Sequence, residues 1–244
     1  MRILYVAWQD PGDRAWHPVG RLTADTEGYG FVYTRGAEEA RNFVPFPRMD
    51  DLKVEYRSHE LFPLFANRLL PKTRPDYNEF LEWLNVRGTE DDPIVLLGRT
   101  GGIRETDSLA VFPCPEPTRD GTYHVHFFSH GLGHLPAYAV ERVSSFLPGT
   151  RLYLMPDPQN SYDAFAMALR TDDPKALVGY CPRFLARDFL HLLSASGPDN
   201  SKVRVEVEKV NRDAPIQLRV LCNLTAPWPE GFRPCSESSY DPLV

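Results

Sequence analysis

The chain has 244 residues with ordinary apolar (42%) and charged (25%) fractions, enough to bury a real core as one large or two small domains. A formal net charge of -6 argues against nonspecific wrapping of duplex DNA, and because the acid excess lies mostly before residue 120, a phosphate partner is expected locally and in the second half. Four cysteines with no C-x-x-C pair exclude a zinc ribbon, and with no signal-like apolar run and no membrane-length segment the expected location is cytoplasmic.

In chain order, residues 3–8, 18–23 and 29–33 predict three short strands, separated by the turn formers Asp10-Pro11-Gly12-Asp13 and Glu27-Gly28. They form a small antiparallel meander. Ser58 is placed to cap a helix, and Leu61, Phe62, Phe65, Leu69 and Leu70 recur at roughly helical spacing over 61–70. A second such pattern runs from Asp76 to Val86 and stops near Gly88. After the charged break Glu90-Asp91-Asp92-Pro93 come an apolar stretch at 95–97, a turn at Gly101-Gly102 and a strand at 109–112. The run Cys114-Pro115-Glu116-Pro117-Thr118-Arg119-Asp120-Gly121 reads as a linker.

Beyond the linker, strands are expected at 123–128, 151–155, 165–170 and 177–180, and Pro182 fits the first turn of a helix reaching about Leu193. Residues 203–208 alternate apolar and charged, the mark of a half-buried strand, and 216–221 is its expected partner. The end of the chain, rich in Pro, Ser and charge, reads as an extended tail. The fold class is α+β: a small antiparallel meander with two helices, then a second domain of short strands forming a small barrel.

The most distinctive stretch is Asp157-Pro158-Gln159-Asn160-Ser161-Tyr162-Asp163-Ala164-Phe165-Ala166, followed by Val178-Gly179-Tyr180-Cys181-Pro182-Arg183. Asn, Tyr and Asp in one polar turn offer a π-face for stacking a base and a carboxylate that accepts a hydrogen bond from a sugar hydroxyl. Arg183, in a helix's first turn, adds a group suited to phosphate. The same residues also suit a purely structural turn, with Asn and Asp closing the backbone and Tyr covering the barrel end.

These two motifs, at this separation, resemble the HIRAN family over about residues 122–200. The resemblance implies an OB- or SH3-like barrel, and in the family's DNA-remodelling helicase member the module binds the free 3′ end of single-stranded DNA. It implies a nucleic-acid site made of His134, Asn160, Tyr162, Asp163, Tyr180 and Arg183, with Tyr162 stacking the terminal base and Asp163 receiving the 3′ hydroxyl. The chain departs from the pattern at Gly131-Leu132-Gly133-His134, where an arginine is lost and His134 takes an aromatic position, and at Phe165, which replaces an asparagine.

The first 117 residues carry a second resemblance, through Val19-Gly20-Arg21-Leu22-Thr23, Tyr29-Gly30-Phe31-Val32-Tyr33, the stretch from Glu60 to Leu70, and Gly101-Gly102 to Pro113. In order, they are similar to the first N-terminal subdomain of HipA-type toxin kinases. No G-x-x-x-x-G-K-S/T, H-R-D or D-F-G sequence accompanies them, so neither catalytic residues nor a cofactor are expected. The division is 1–117, 122–222 and a tail at 223–244. The whole reads as an accessory protein for single-stranded DNA ends, with a kinase, nuclease or helicase as protein partner, in toxin-antitoxin, phage-defence or DNA-repair settings. A protein-binding regulator without nucleic acid is the alternative. A metal-dependent hydrolase using His124, His126, His130 and His134 is a third reading.

Overall fold

A computed structural model describes residues 2–12, 14–86, 92–104, 107–197 and 201–244. Asp13 of the first expected turn, Gly88, and Glu90 and Asp91 of the charged break lie outside them. The chain divides into two compact units, Met1–Leu81 with Val86–Cys114 and Arg233–Val244, and Glu82–Asn85 with Pro115–Phe232. Among the described residues, no helix is long and apolar enough to cross a membrane.

The first unit is an antiparallel sheet of β1 (Arg2–Gln9), β2 (Trp16–Asp25), β3 (Gly28–Tyr33), β4 (Tyr56–Ser58) and β5 (Leu109–Pro113), in the order β4-β3-β2-β1-β5. Alternation puts Leu4, Val6, Val19, Leu22, Phe31 and Val111 into its core. Helices α1 (Arg35–Glu39), α2 (Pro63–Ala66), α3 (Tyr77–Leu84) and α4 (Pro93–Thr100) complete it, the last turn of α3 grouping with the second unit. The three-strand meander of the sequence reading is thus joined by β4 and by β5, the strand expected at 109–112, and among the described residues the unit carries four short helices rather than two.

The helix expected over 61–70 shrinks to the single turn α2. Pro71 disfavours helical backbone at Leu70, and the Arg68 side chain turns inward, donating to the Gly102 carbonyl at 2.7 Å and to Asp107 at 2.5 Å. Phe65 is fully buried, packed on Phe31 at 5.8 Å between ring centres. Ser58 ends β4 instead of capping a helix, its Oγ accepting from the Glu60 amide. The apolar stretch at 95–97 lies inside α4, whose start is marked by Asp92 accepting from the Ile94 amide and by Pro93, and whose stop is Gly101 at φ +72°.

The second unit holds β6 (Thr122–Phe128), α5 (Ala137–Ser144), β7 (Arg151–Pro156), β8 (Met167–Arg170), β9 (Leu177–Tyr180), α6 (Arg183–Ala195), β10 (Arg204–Val210) and β11 (Val220–Pro227). Its sheet runs β6-β11-β10-β7-β8-β9. The sheet curls until its two edges meet: His130, just past β6, exchanges both backbone hydrogen bonds with Tyr180 of β9, at 2.8 and 2.9 Å. Helix α6 lays Leu185, Ala186, Phe189 and Leu192, one apolar stripe, against Tyr123, Phe127, Val178 and Leu224.

Two expectations for the end of the chain change. Residues 216–218 form a short 3-10 turn after Pro215, and the partner of β10 is β11, four residues later than the expected strand start. Residues 223–227, assigned to the tail, are thus sheet. The segment from Arg233 belongs to the first unit, where the Leu243 amide donates to the Tyr33 carbonyl at 3.0 Å and Tyr240 packs edge-on against Tyr5.

Candidate functional site

The loop from β7 to β8 is built by its own polar side chains. The Asp157 amide donates to the Ala166 carbonyl at 2.9 Å, carrying the β7–β8 ladder one step further. Inside that closure, Asn160 Oδ1 accepts from the amides of Tyr162 and Asp163 at 3.0 and 3.2 Å, and Asp163 Oδ1 accepts from the Phe165 amide at 2.9 Å. Short polar side chains do this well because their oxygen reaches the backbone two or three residues on. The turn presents Tyr162 with 63% of its surface exposed. These bonds also explain why β8 starts at Met167 and not at Phe165.

Asp157 ties the loop to the neighbouring strand. Its Oδ2 accepts from the Tyr180 hydroxyl at 3.0 Å and from Asn160 Nδ2 at 3.3 Å. Burial, then the hydrogen bond to this carboxylate, raises the Tyr180 hydroxyl above its ordinary pKa. Three residues on, Arg183 opens α6 and brings Nε to 4.0 Å from Asp163 Oδ2. This is an ion-pair distance but too long for a hydrogen bond, and both groups are half-buried. On the other side, loss of hydration and then the Arg183 charge push His130 down to about 4, so its imidazole is neutral at pH near 7.

Strand β9 demands a glycine just before Tyr180. Gly179 has φ +133°, and a Cβ there would run into Ser129 Oγ, which itself donates to the Val178 carbonyl at 3.1 Å.

The structure thus gathers Asn160, Tyr162, Asp163, Tyr180 and Arg183 around the β7–β8 loop and the start of α6. It treats His134 differently: this residue ends a 3-10 turn at 132–134, is exposed, and among the described residues no side-chain hydrogen bond or ion pair joins it to the others. Three neighbours outside that set take part in the arrangement. Asp157 is the hub of the loop, His130 closes the sheet beside Arg183, and Arg187 lays its guanidinium over the exposed Phe165 ring at 4.4 Å. Only the last had a readable signal, the four-residue step from Arg183 to Arg187 on one helix face.

His124 and His126 do share a face of β6, with ring centres 4.7 Å apart. His126 Nε2 sits 2.7 Å from Glu208 Oε2. Among the described residues, no group of three or more His, Cys, Asp or Glu side chains is arranged to hold a metal ion. Cys181 and Cys222 are buried, free thiols whose pKa values are raised by desolvation.

Comparison with known proteins comes to one domain. The family profile of the HIRAN domain matches residues 122–228, from the start of β6 to just past β11. Among solved structures, a protein from Lactobacillus plantarum determined as a structural genomics target is 17% identical, covering 43% of this chain and 96% of that one with a TM-score of 0.32. The HIRAN domain of human HLTF is 16% identical, covering 44% of this chain and 80% of that one with a TM-score of 0.31. No curated protein matches the sequence.

Proposed function

We propose that the HIRAN domain at residues 122–228 binds nucleic acid, and within that class the free 3′ end of single-stranded DNA. The observation that carries the reading is the β7–β8 turn itself. Asn160 and Asp163 close it from inside, which leaves Tyr162 63% exposed next to a half-buried carboxylate and an arginine.

In this reading the terminal base stacks on Tyr162. Asp163 Oδ1 is engaged by the Phe165 amide, so Oδ2 is the oxygen that accepts the terminal hydroxyl. Arg183 takes the last phosphate, helped by the first-turn amides of α6, where Pro182 provides no side-chain cap. Asp157 holds the loop through its bond with Tyr180, which stands beside the bound end. The curled sheet serves as a closed barrel of the OB or SH3 type, and the protein acts by binding, not by catalysis. The first unit, with its likeness to the leading subdomain of HipA-type kinases, supplies contact with a protein partner, a kinase, nuclease or helicase in a toxin-antitoxin, phage-defence or repair system.

The test is fluorescence anisotropy with 3′-hydroxyl, 3′-phosphate and 5′-labelled single strands at two salt concentrations. Preference for the free 3′ hydroxyl, lost in Asp163→Ala, supports the site. If the intact protein binds none of these strands at low salt, the end-binding reading fails, and a protein-binding regulator working through the first unit replaces it.

A further inference from the structure

We propose that Cys114 and Cys235 are a redox pair, which peroxide joins in a disulfide that fastens the C-terminal segment to the sheet of the first unit and closes the chain between them into a covalent ring. Nothing in this depends on nucleic-acid binding by the second unit.

The sheet of the first unit has its core on one face and the end of the chain on the other. Alternation turns Tyr5 and Phe112, cross-strand partners in β1 and β5, away from Leu4, Val6 and Val111. The segment from Arg233 covers that second face, where Tyr240 packs edge-on against Tyr5 at 4.9 Å. Cys114 follows β5 directly, two residues after Phe112, and its Sγ donates to the Pro234 carbonyl at 3.4 Å. That oxygen belongs to the peptide joining Pro234 to Cys235, so the Cys114 sulfur lies within about 6 Å of the Cys235 Cα. Burial, then Cys235 and Cys114, raise the Tyr5 hydroxyl above its ordinary pKa, which sets both sulfurs around one group. Cys235 itself has φ +52° in the turn at 233–236, where Ser236 Oγ donates to the Arg233 carbonyl at 2.6 Å. Glycine or asparagine meets such a φ at least cost, so a cysteine there points to a use for its side chain.

Both residues are thiols in this structure and both are half-buried, whereas Cys181 and Cys222 lie inside the core of the second unit. A small oxidant in solution therefore meets the first pair and not the second. One thiolate attacks hydrogen peroxide: an S–O bond forms, the O–O bond breaks, and the departing hydroxide takes up the thiol's proton as water. The other thiolate then attacks the sulfenic sulfur, forming the S–S bond and expelling a second water. Two thiols are oxidised and one peroxide is reduced. The bond spans about 120 residues of chain, among them the whole segment Pro115–Phe232 of the second unit. Reduced, the C-terminal segment leaves the sheet by breaking local contacts alone. Oxidised, it is held at its first turn, and the segment Pro115–Phe232 begins and ends at one covalent junction in the first unit.

The experiment treats the folded full chain with hydrogen peroxide, blocks remaining thiols under denaturing conditions, and maps the cysteines by mass spectrometry of a non-reduced digest. We expect one linked peptide pair, Cys114 with Cys235, lighter by two hydrogens than the two thiol peptides, and Cys181 and Cys222 recovered as blocked thiols. The oxidised chain should run faster in a non-reducing denaturing gel, because the ring keeps it compact, and dithiothreitol should restore its migration. Cys114→Ser and Cys235→Ser should each abolish the faster band. Hydrogen exchange reads the fastening itself: the Leu243 amide, bonded to the Tyr33 carbonyl, and the Arg35 amide, bonded to the Asp241 carbonyl, should exchange several-fold more slowly after oxidation. A linked peptide joining any other two cysteines, a bond between two chains, or oxidation that stops at single sulfurs refutes the pair. A Cys114–Cys235 bond that leaves exchange at Leu243 and Arg35 unchanged refutes the fastening. The mapping on the parent needs no variant to fold.

Discussion

His130 makes the stability of the second unit depend on pH in a way that a single substitution removes. Its imidazole is held at about 4 against an ordinary 6.5, by lost hydration and then by the Arg183 charge. At about 1.4 kcal/mol for each tenfold change in proton affinity, this difference amounts to about 3 kcal/mol. The sign follows from which state binds the proton. Between about pH 6.5 and about pH 4 the unfolded imidazole is protonated and the folded one is not, so stability is lost as the pH falls through that window and the loss is complete below about pH 4. Carboxylates titrate in the same range, so the informative quantity is a difference between proteins. Urea denaturation of the parent and of His130→Gln, at steps from about pH 7 to about pH 4, should show the parent losing about 3 kcal/mol more than the variant. Since the backbone bonds of residue 130 to Tyr180 do not involve the side chain, the variant keeps the sheet closure. Arg183→Ala should raise the imidazole midpoint in an NMR titration, because it removes the like charge and leaves burial. Parallel stability curves for parent and His130→Gln, or an NMR midpoint near 6.5, would refute the reasoning.

Gly179→Ala should destabilise the second unit by about 2 kcal/mol or more, since it adds a strained positive φ to overlaps with Ser129 Oγ and the His130 carbonyl oxygen; Ser129→Ala in the same chain should recover only part of the loss, because the His130 oxygen still lies 2.9 Å from the new Cβ, as read by urea denaturation. Phe65→Ala, which empties a fully buried ring site in the first unit, should cost about 3 to 5 kcal/mol in the same assay. Tyr162→Ala should leave the melting temperature unchanged, because the ring is mostly exposed, and weaken single-strand binding by about 5- to 150-fold in anisotropy.

The meander was legible because period-two patterns stood between strong turn formers, and α6 because Pro182 marked its start and an apolar stripe followed. Helix α5 was not: of its eight residues only Ala139 and Val143 are buried, too few to set a period. The strand expected at 216–221 was misplaced because Ile216 looked like the start of the apolar run at 220–222, whereas it lies 39% exposed in a 3-10 turn. The bulge between Val207 and Lys209 also shifts the β10–β11 pairing, and no residue type announces it. At the site, the Asn, Tyr and Asp of the turn announce themselves through local side-chain-to-backbone bonds, which sequence spacing determines. The bond from Tyr180 to Asp157 spans 23 residues and depends on β8 lying between β7 and β9, and the Arg187–Phe165 stack depends on the rotation of α6. His134, assigned to the site through the family resemblance, ends a 3-10 turn with its side chain exposed.

The charge of the chain bears on how such a site selects its ligand. At net -6 the protein repels a polyanion at long range, so affinity has to come from a few contacts at close quarters. Asp163 lies 4.0 Å from Arg183, and a carboxylate there opposes phosphate binding wherever a strand offers only phosphates. A free 3′ hydroxyl reverses that cost, since it donates to the same oxygen and lets the neighbouring arginine take the phosphate behind it. An internal stretch of strand or a phosphorylated end gains the arginine contact but meets the uncompensated carboxylate. On the proposed reading, selectivity for the end arises from the pairing of one acid with one base. It also implies a shallow salt dependence: with one phosphate on Arg183, the log-log slope for a single strand should be about 0.7, and Arg183→Ala should flatten it for every strand while Asp163→Ala leaves it in place. A steep slope of several units in the parent would mean that binding spreads over many phosphates, and the acid-base pair would then not be what selects the end.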